Sequence, residues 1–229
     1  LPLKVEIPNP SQHEETSDTM LTTEAAKALL SHYRGLKAGY GTEEHTVLEL
    51  AWYTGARLSA LYGLDLDDVD LDAELVEFKH RPDSGTPLKK KRKGERAVGL
   101  PSEVCDVLQV YVDEHRTPGR DDAGREPFFC TPQGRPEAST IRCWVYHATV
   151  PCVHAPCPHE KHPRTCEWKG RKGASKCPSS RSPHHIRTGS ITWQLNRGLS
   201  WEAVGERVNS DPNTLRRYYD KASDREKLE

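Results

Sequence analysis

The chain has 229 residues, of which 34% are apolar and 29% charged, and its formal net charge is −1 at pH 7. This length suits one large domain or a domain with an appendage. The sequence has no apolar run that spans a bilayer and no signal-like N-terminus, so we expect a cytoplasmic rather than a membrane or secreted protein. The near-neutral total hides two basic stretches, at 89–96 and 161–187, which are typical of contact with nucleic acid.

Most of the chain shows helical periodicity. Residues 1–20 are the exception, because they are rich in proline, glutamate and serine without periodicity, which indicates a linker or arm. Helix-start residues such as Thr22 and Ser102 precede the periodic segments, and Gly55 ends one of them. Residues 64–72 are interpreted as an acidic turn. Helices are predicted, in chain order, at about 22–33, 43–53, 57–62, 102–114, 140–149, 183–196, 201–208 and 212–220.

A small sheet is predicted between the third and fourth helices. Residues 75–78 alternate between apolar and polar side chains, as a half-buried strand does, and residues 96–98 are expected to pair with them. The basic run KKKRK at 89–93 fills the connection. The fold is therefore predicted to be mainly α with a small antiparallel β-sheet, an α+β class.

Three separated segments carry side chains suited to attack on a phosphodiester. Arg57 lies in TGARLSAL, His184 and Arg187 lie in HHIR, and Tyr218 and Tyr219 come about thirty residues later. Two guanidinium groups neutralise the non-bridging oxygens of a phosphate. An imidazole transfers protons near neutral pH, and a tyrosine hydroxyl acts as a nucleophile. Together they indicate phosphodiester cleavage through a covalent intermediate.

Four of the seven cysteines share one irregular segment with the spacing C-x4-C-x8-C-x10-C. The odd count and the missing signal sequence argue against a disulfide framework. Four thiolates match the tetrahedral preference of structural Zn²⁺, which would supply the folding energy that this polar segment lacks. His159 in place of one cysteine is the second choice, and no catalytic metal is expected. The predicted zinc ligands are Cys152, Cys157, Cys166 and Cys177.

TGARLSAL, HHIR and the late tyrosines, in this order, resemble the catalytic domain of tyrosine recombinases, the phage integrase family that includes Xer-type enzymes, over about residues 20–225. The acidic turn, the TPLK hairpin and the cysteine segment look most similar to integrase-type proteins of halophilic archaea and their viruses. The resemblance implies a catalytic domain at 21–229 with a zinc-binding insertion at 151–182. It also implies that residues 1–20 are the linker from a missing N-terminal core-binding domain.

The resemblance carries residue roles with it. Arg57 and Arg187 would clamp the scissile phosphate and stabilise its pentacoordinate transition state. His184 would be the proton-transfer partner. Tyr219 is chosen over Tyr218 as the nucleophile that forms a 3′-phosphotyrosyl link, because an Asp-Lys pair comes directly after it, as in the more similar relatives.

The family's lysine, which protonates the leaving 5′-hydroxyl, lies in the hairpin between the two arginine boxes. An ungapped count gives Lys91, with Lys89 as the second choice. Asn209 stands where the family often has His or Trp, and Ala60 stands where an acid usually comes after the first arginine. Asn209 is still able to donate a hydrogen bond to a phosphate oxygen. The basic side chains expected on DNA phosphates are Lys89, Lys90, Arg92, Lys93 and Arg96.

The implied function is site-specific DNA recombination with structural Zn²⁺ and without a nucleotide or a catalytic metal. The partner would be a double-stranded DNA attachment site in the nucleoid. The resemblance implies a tetramer on DNA, and a monomer free in solution stays open. Two alternatives stay open as well. One is a non-catalytic zinc-stabilised DNA-binding protein on the same fold, slightly favoured by Asn209 and Ala60, and the other is a type IB topoisomerase.

Overall fold

The structure, a computed structural model, describes residues 19–162 and 164–216. Its strands are β1 (Val69–Asp70), β2 (Leu75–Phe78) and β3 (Arg96–Gly99). None of the described helices is long and apolar enough to cross a membrane. The helices are α1 (Thr23–Gly35), α2 (Glu43–Thr54), α3 (Leu58–Tyr62), α4 (Ser102–Val110), α5 (Ala138–Ala148), α6 (Pro183–Asn196) and α7 (Trp201–Val208), and residues 212–216 are helical.

The core forms around α2, which packs against α1, α4, α5 and α6. Val47, Leu48 and Leu50 are fully buried, and each such side chain contributes about 1.5–3 kcal/mol through burial. Glu49, on the polar side of α2, is buried too, and its carboxylate is paired. Arg34 donates to both of its oxygens at 2.8 and 3.0 Å. α2 is therefore a rigid support for the turn that leads from it into α3.

The sheet is antiparallel in the order β1-β2-β3. Val76 pairs with Val98, which confirms the predicted hairpin, and both side chains are buried in the core. The interpretation of residues 64–72 as a turn only was wrong, because Val69 pairs with Val76 and adds a third strand. A two-residue strand is too short to show alternation in a sequence. The predicted class, mainly helical with a small antiparallel sheet, is confirmed.

The cysteine-rich segment is irregular, as predicted, and it is fastened to the helical core. Arg171 donates from Nε and Nη2 to the two oxygens of Glu44, on the first turn of α2, at 2.5 and 2.8 Å. Burial alone would raise the pKa of Glu44, but hydrogen bonds from His147 and Arg171 outweigh it and lower this pKa to about 2. At its end, the Arg181 amide donates to Thr149 Oγ1 at 2.8 Å. The segment thus leads directly into α6 from a fixed position.

Candidate active site

Arg57 is placed by the tight turn between α2 and α3. Gly55 ends α2 with a φ of 59°, in the left-handed region that favours glycine. A Cβ at this position would lie 2.7 Å from Val208 Cγ1, at the end of α7. Arg57 caps α3, and its Nη1 donates to the Asn209 carbonyl oxygen at 2.8 Å. The turn therefore directs the first arginine toward the end of α7.

The start of α6 is fixed by a capping box. Ser182 Oγ accepts from the His185 amide at 3.2 Å, and Pro183 occupies the first turn, an arrangement that sets where a helix begins. His184 and Arg187 are three residues apart and so share a face of the helix. The Arg187 side chain is buried, and its Nη1 donates to the carbonyl oxygens of Gly55 at 2.5 Å and Val208 at 2.7 Å.

Two further arginines complete this region. Arg96, the first residue of β3, donates from Nε to the Arg207 carbonyl oxygen at 2.6 Å and from Nη1 to the Gly94 carbonyl oxygen at 3.0 Å. Arg207 donates from Nη2 to the carbonyl oxygens of Tyr53 and Gly99 at 3.2 and 3.3 Å. We refer to the four side chains that meet around the end of α7 as the arginine pocket. It consists of Arg57, Arg96, Arg187 and Arg207.

The arginine pocket is electrostatically positive. Burial, and to a lesser extent the charge of Arg57, lowers the pKa of Arg96 to about 10. Although part of His184 is open to solvent, partial burial lowers its pKa, and the charges of Arg187, Arg57 and Lys89 lower it further. Like charges at short range destabilise the charged form of each group. A phosphate diester placed here would relieve that repulsion, and His184 is neutral at pH 7.

The predicted DNA-binding lysines lie on the connection between β2 and β3. Lys89, Lys90, Lys91, Arg92 and Lys93 are exposed, and none of their side chains bonds to another described residue. Lys91 has a φ of 53° and opens a short 3-10 turn. Of these five residues, Lys89 is the one whose charge acts on the pKa of His184.

Asn209 lies inside this arrangement. It ends α7 in the left-handed conformation, with a φ of 53°, which asparagine tolerates better than most residues. Its carbonyl oxygen accepts from Arg57, and its side-chain amide lies against the backbone of Gly94. Tyr219 and its alternative Tyr218 lie outside the described residues, so both stay predictions.

The four predicted zinc ligands are free thiols. Cys177 is buried and the other three are half-buried. Burial and then the neighbouring thiols Cys157, Cys166 and Cys177 raise the pKa of Cys152, so the four lie within electrostatic range.

Two histidine nitrogens of the same segment are buried without a hydrogen-bond partner among the described residues. His154 Nδ1 and His159 Nε2 are buried and unpartnered within the described part of the chain. No group of three or more His, Cys, Asp or Glu side chains among residues 19–162 and 164–216 is gathered as a metal site. The donors fit Zn²⁺ in kind, and zinc stays a prediction.

Sequence reasoning did not identify Arg207, and it grouped Arg96 with the solvent-facing basic run. Each has a contact with a backbone carbonyl that is distant in the chain, 111 residues away for Arg96 and 154 for Arg207. No local pattern carries such information. The boxes around Arg57 and Arg187, in contrast, were visible as motifs, and the structure brings them together as predicted.

Comparisons with known proteins agree with this arrangement. The model of the Phage integrase family matches residues 19–225. The crystal structure of XerA recombinase is similar at 18% identity and a TM-score of 0.62, covering 92% of this chain and 61% of that one. The Tn1549 transposon integrase in complex with transposon right end DNA is similar at 17% identity and a TM-score of 0.60. This match covers 94% of this chain and 64% of that one. XerH recombinase bound to palindromic difH substrate is similar at 15% identity and a TM-score of 0.62, and the match covers 95% of this chain and 53% of that one.

These structural likenesses show the fold. The chain spans 61% of the length of the XerA structure and 53% of the XerH structure. No curated protein sequence matches. The family model covers nearly the whole chain, and the structure assembles the two arginine boxes within it. The chain belongs to the phage integrase family.

Proposed function

We propose that this chain is the catalytic part of a site-specific DNA recombinase that cuts and rejoins strands through a 3′-phosphotyrosyl intermediate. The observation that carries the proposal is the joint placement of Arg57 and Arg187. They are 130 positions apart in sequence, yet their guanidinium groups bond to adjacent carbonyls at the end of α7. Such a fixed pair of donors is suited to a phosphate whose charge grows in the transition state.

The reaction that these residues support is a transesterification. The tyrosine oxygen attacks phosphorus as the bond from phosphorus to the 5′-oxygen breaks, so one phosphodiester replaces another and no energy source is needed. His184, neutral because burial and the nearby cations lower its pKa, accepts the tyrosine proton. The arginines hold the non-bridging oxygens throughout. Rejoining is the reverse reaction with a new 5′-hydroxyl as the nucleophile.

The leaving 5′-oxygen needs a proton, and a hairpin lysine supplies it. The ungapped count favoured Lys91 over Lys89. Lys89 is supported by its charge, which is one of those that lower the pKa of His184, whereas Lys91 occupies a left-handed turn position farther along the hairpin. We therefore propose Lys89 as the proton donor, and Lys91 is the alternative that the same experiments test.

We further propose that the cysteine-rich insertion binds one structural Zn²⁺ through Cys152, Cys157, Cys166 and Cys177. Support comes from the donor type, the shared segment and the electrostatic range of the thiols. His159 is the alternative ligand, since its buried Nε2 has no described partner. The metal would hold the segment that leads into α6. Elemental analysis of the purified protein is expected to give one zinc per chain. Substitution of all four cysteines by serine should abolish zinc binding.

The partner would be a double-stranded attachment site, bound by a tetramer in the nucleoid. The structures of the Tn1549 integrase and of XerH are complexes with DNA, which supports the DNA partner. The tetramer, and the affinity to halophilic archaeal integrases, rest on the resemblance only.

Covalent trapping tests the proposed function. The attachment site is first located by sequencing DNA fragments that are covalently bound to the full-length gene product. A duplex with this site and a nick just beyond the scissile phosphate is then supplied, so that the short 5′-hydroxyl fragment diffuses away after cleavage. We expect a stable protein–DNA adduct that peptide mapping places on Tyr219. An adduct on Tyr218 would identify Tyr218, instead of Tyr219, as the nucleophile.

The alternatives give different results in the same experiment. Tight binding to the site with no adduct would mean a non-catalytic DNA-binding protein. Relaxation of supercoiled DNA at many unrelated sites would mean a type IB topoisomerase.

A further inference from the structure

Arg96 does not behave like the other members of the basic run. Its side chain is half-buried, and its guanidinium lies 4.3 Å from the ring centroid of Phe78. Two of its N–H groups donate internally, Nη1 to Gly94 in the hairpin and Nε to Arg207 in α7. The neighbouring basic residues, Lys89 to Lys93, are exposed. Arg96 therefore joins two elements and is not turned to solvent.

A second contact joins the same two elements. Gly94 is buried, and a Cβ there would lie 2.5 Å from Asn209 Nδ2, closer than side-chain carbons are tolerated. A side chain at position 94 would have to displace the Asn209 side-chain amide, so glycine leaves room for the hairpin beside the end of α7. Gly94 is also the residue whose carbonyl oxygen Arg96 holds, so the two contacts reinforce each other.

The end of α7 has supports that do not involve Arg96, and the hairpin is also held at its other end, where Arg81 pairs with Asp68. Val204 and Val208 are fully buried, the Val208 carbonyl oxygen accepts from Arg187, and the Asn209 carbonyl oxygen accepts from Arg57. Loss of Arg96 leaves these supports in place. The hairpin would lose its bonded connection to α7, so it is the element whose position depends on Arg96.

We propose that Arg96 is a positioning residue that holds the lysine-bearing hairpin, residues 79–95, at a fixed distance from the end of α7. This inference rests on the proposed recombinase function. Its consequence is that the Lys89 ammonium meets the leaving 5′-oxygen as the bond from phosphorus to that oxygen breaks and the bond to tyrosine forms. A displacement of ~1 Å is enough to slow such a step by about 10²-fold.

The test separates proton donation from the rest of the reaction. Single-turnover cleavage by the full-length gene product is measured at saturating protein on two nicked duplexes. One has the normal 5′-oxygen at the scissile phosphate and the other has sulfur there. A thiolate leaves without a proton, so a defect in proton donation disappears on the sulfur substrate. A Lys89→Ala variant provides the reference pattern, and the exposed Arg142→Met variant is the control.

Arg96→Met is expected to slow cleavage of the oxygen substrate roughly 10- to 100-fold more than cleavage of the sulfur substrate, because the loss of positive charge in the arginine pocket affects both substrates alike. Arg96→Lys should behave similarly, because an ammonium does not reproduce the fork that reaches two carbonyls.

Equal losses on both substrates, or no loss on either, would overturn the positioning role. A fall in melting temperature with equal losses would mark Arg96 as a residue of general stability, which also overturns it. An unmutated protein that forms no adduct with either substrate would instead contradict the proposed function, so the two failures are distinguishable.

Discussion

The molecule contains two arginine clusters whose partners differ. In the first, Asp65 accepts from Arg125 at 3.0 Å and from Arg135, and Asp68 accepts from both terminal nitrogens of Arg81 at 2.8 and 2.7 Å. In the second, the arginine pocket, each arginine donates to at least one backbone carbonyl, and Arg207 also donates to the Gln194 side-chain oxygen. We call the first the aspartate–arginine cluster, which consists of Asp65, Asp68, Asp121, Arg81, Arg125 and Arg135.

The difference lies in what happens to the charge. A carboxylate neutralises an arginine, whereas a carbonyl oxygen satisfies its hydrogen bonds and leaves the charge in place. Among the described residues no carboxylate forms an ion pair with Arg96 or Arg207, and burial lowers the pKa of both. The first cluster therefore stabilises the fold, whereas in the second no described carboxylate cancels the charge of Arg96 and Arg207.

Removing an acid from the aspartate–arginine cluster should give the largest loss of stability. Asp65→Ala leaves Arg135, whose side chain is nearly buried, without one of its two carboxylates. We expect the free energy of unfolding to fall by about 3–5 kcal/mol, measured by urea denaturation. The exposed Asp67→Ala serves as control and should change it by about 0.5 kcal/mol or less. A loss confined to activity would contradict the structural role of this cluster.

Substitution in the arginine pocket should lower the cleavage rate and leave the stability of the fold nearly unchanged. Arg57→Gln is expected to slow single-turnover cleavage by about 10²–10³-fold, equivalent to about 2.7–4 kcal/mol of transition-state stabilisation, with little change in melting temperature. Arg142→Gln on α5 should leave the rate unchanged. Comparable losses of stability in Arg57→Gln and Asp65→Ala would mean that the two clusters do not differ.

The pH dependence of cleavage is set by the direction of the His184 shift. Because the pKa of His184 is lowered from the ordinary value of 6.5, its neutral form already predominates at pH 7. The cleavage rate should therefore fall only below pH 6.5 and stay level through neutral pH. In His184→Gln this acid limb should be absent and the remaining rate lower. An acid limb that persists unchanged in the variant would assign it to another group.

The exposed hairpin residues should give the smallest effect. Lys90→Ala is expected to weaken DNA binding uniformly across sequences and to reduce the slope of log affinity against log salt by about 1. The exposed Lys27→Ala on α1 provides the comparison and should leave the slope unchanged. An unaltered slope in Lys90→Ala would place Lys90 away from the DNA.

Local signals predicted the helices and motifs well. The bounds of α7 match those expected from sequence, because a capping serine and a regular apolar face mark both ends. The boxes around Arg57 and His184 indicated the family that the family model confirms, since each box is a short recognisable segment.

Long-range contacts were not predictable in the same way. Arg96 looked like one more member of a basic run, because nothing nearby shows that its partners are Phe78 and Arg207. β1 was not predicted, because a strand of two residues is too short to show an alternating pattern. The choice between Lys91 and Lys89 stays a prediction.

The most direct test of the difference between the clusters removes the charge from the substrate instead of the protein. A methylphosphonate at the scissile position lacks the negative oxygen that the arginine pocket is proposed to neutralise. We expect the cleavage defect of Arg57→Gln, large on a normal phosphate, to shrink to less than about tenfold on the methylphosphonate. An equal defect on both substrates would contradict the claim that the arginine pocket acts on the charge of the phosphate.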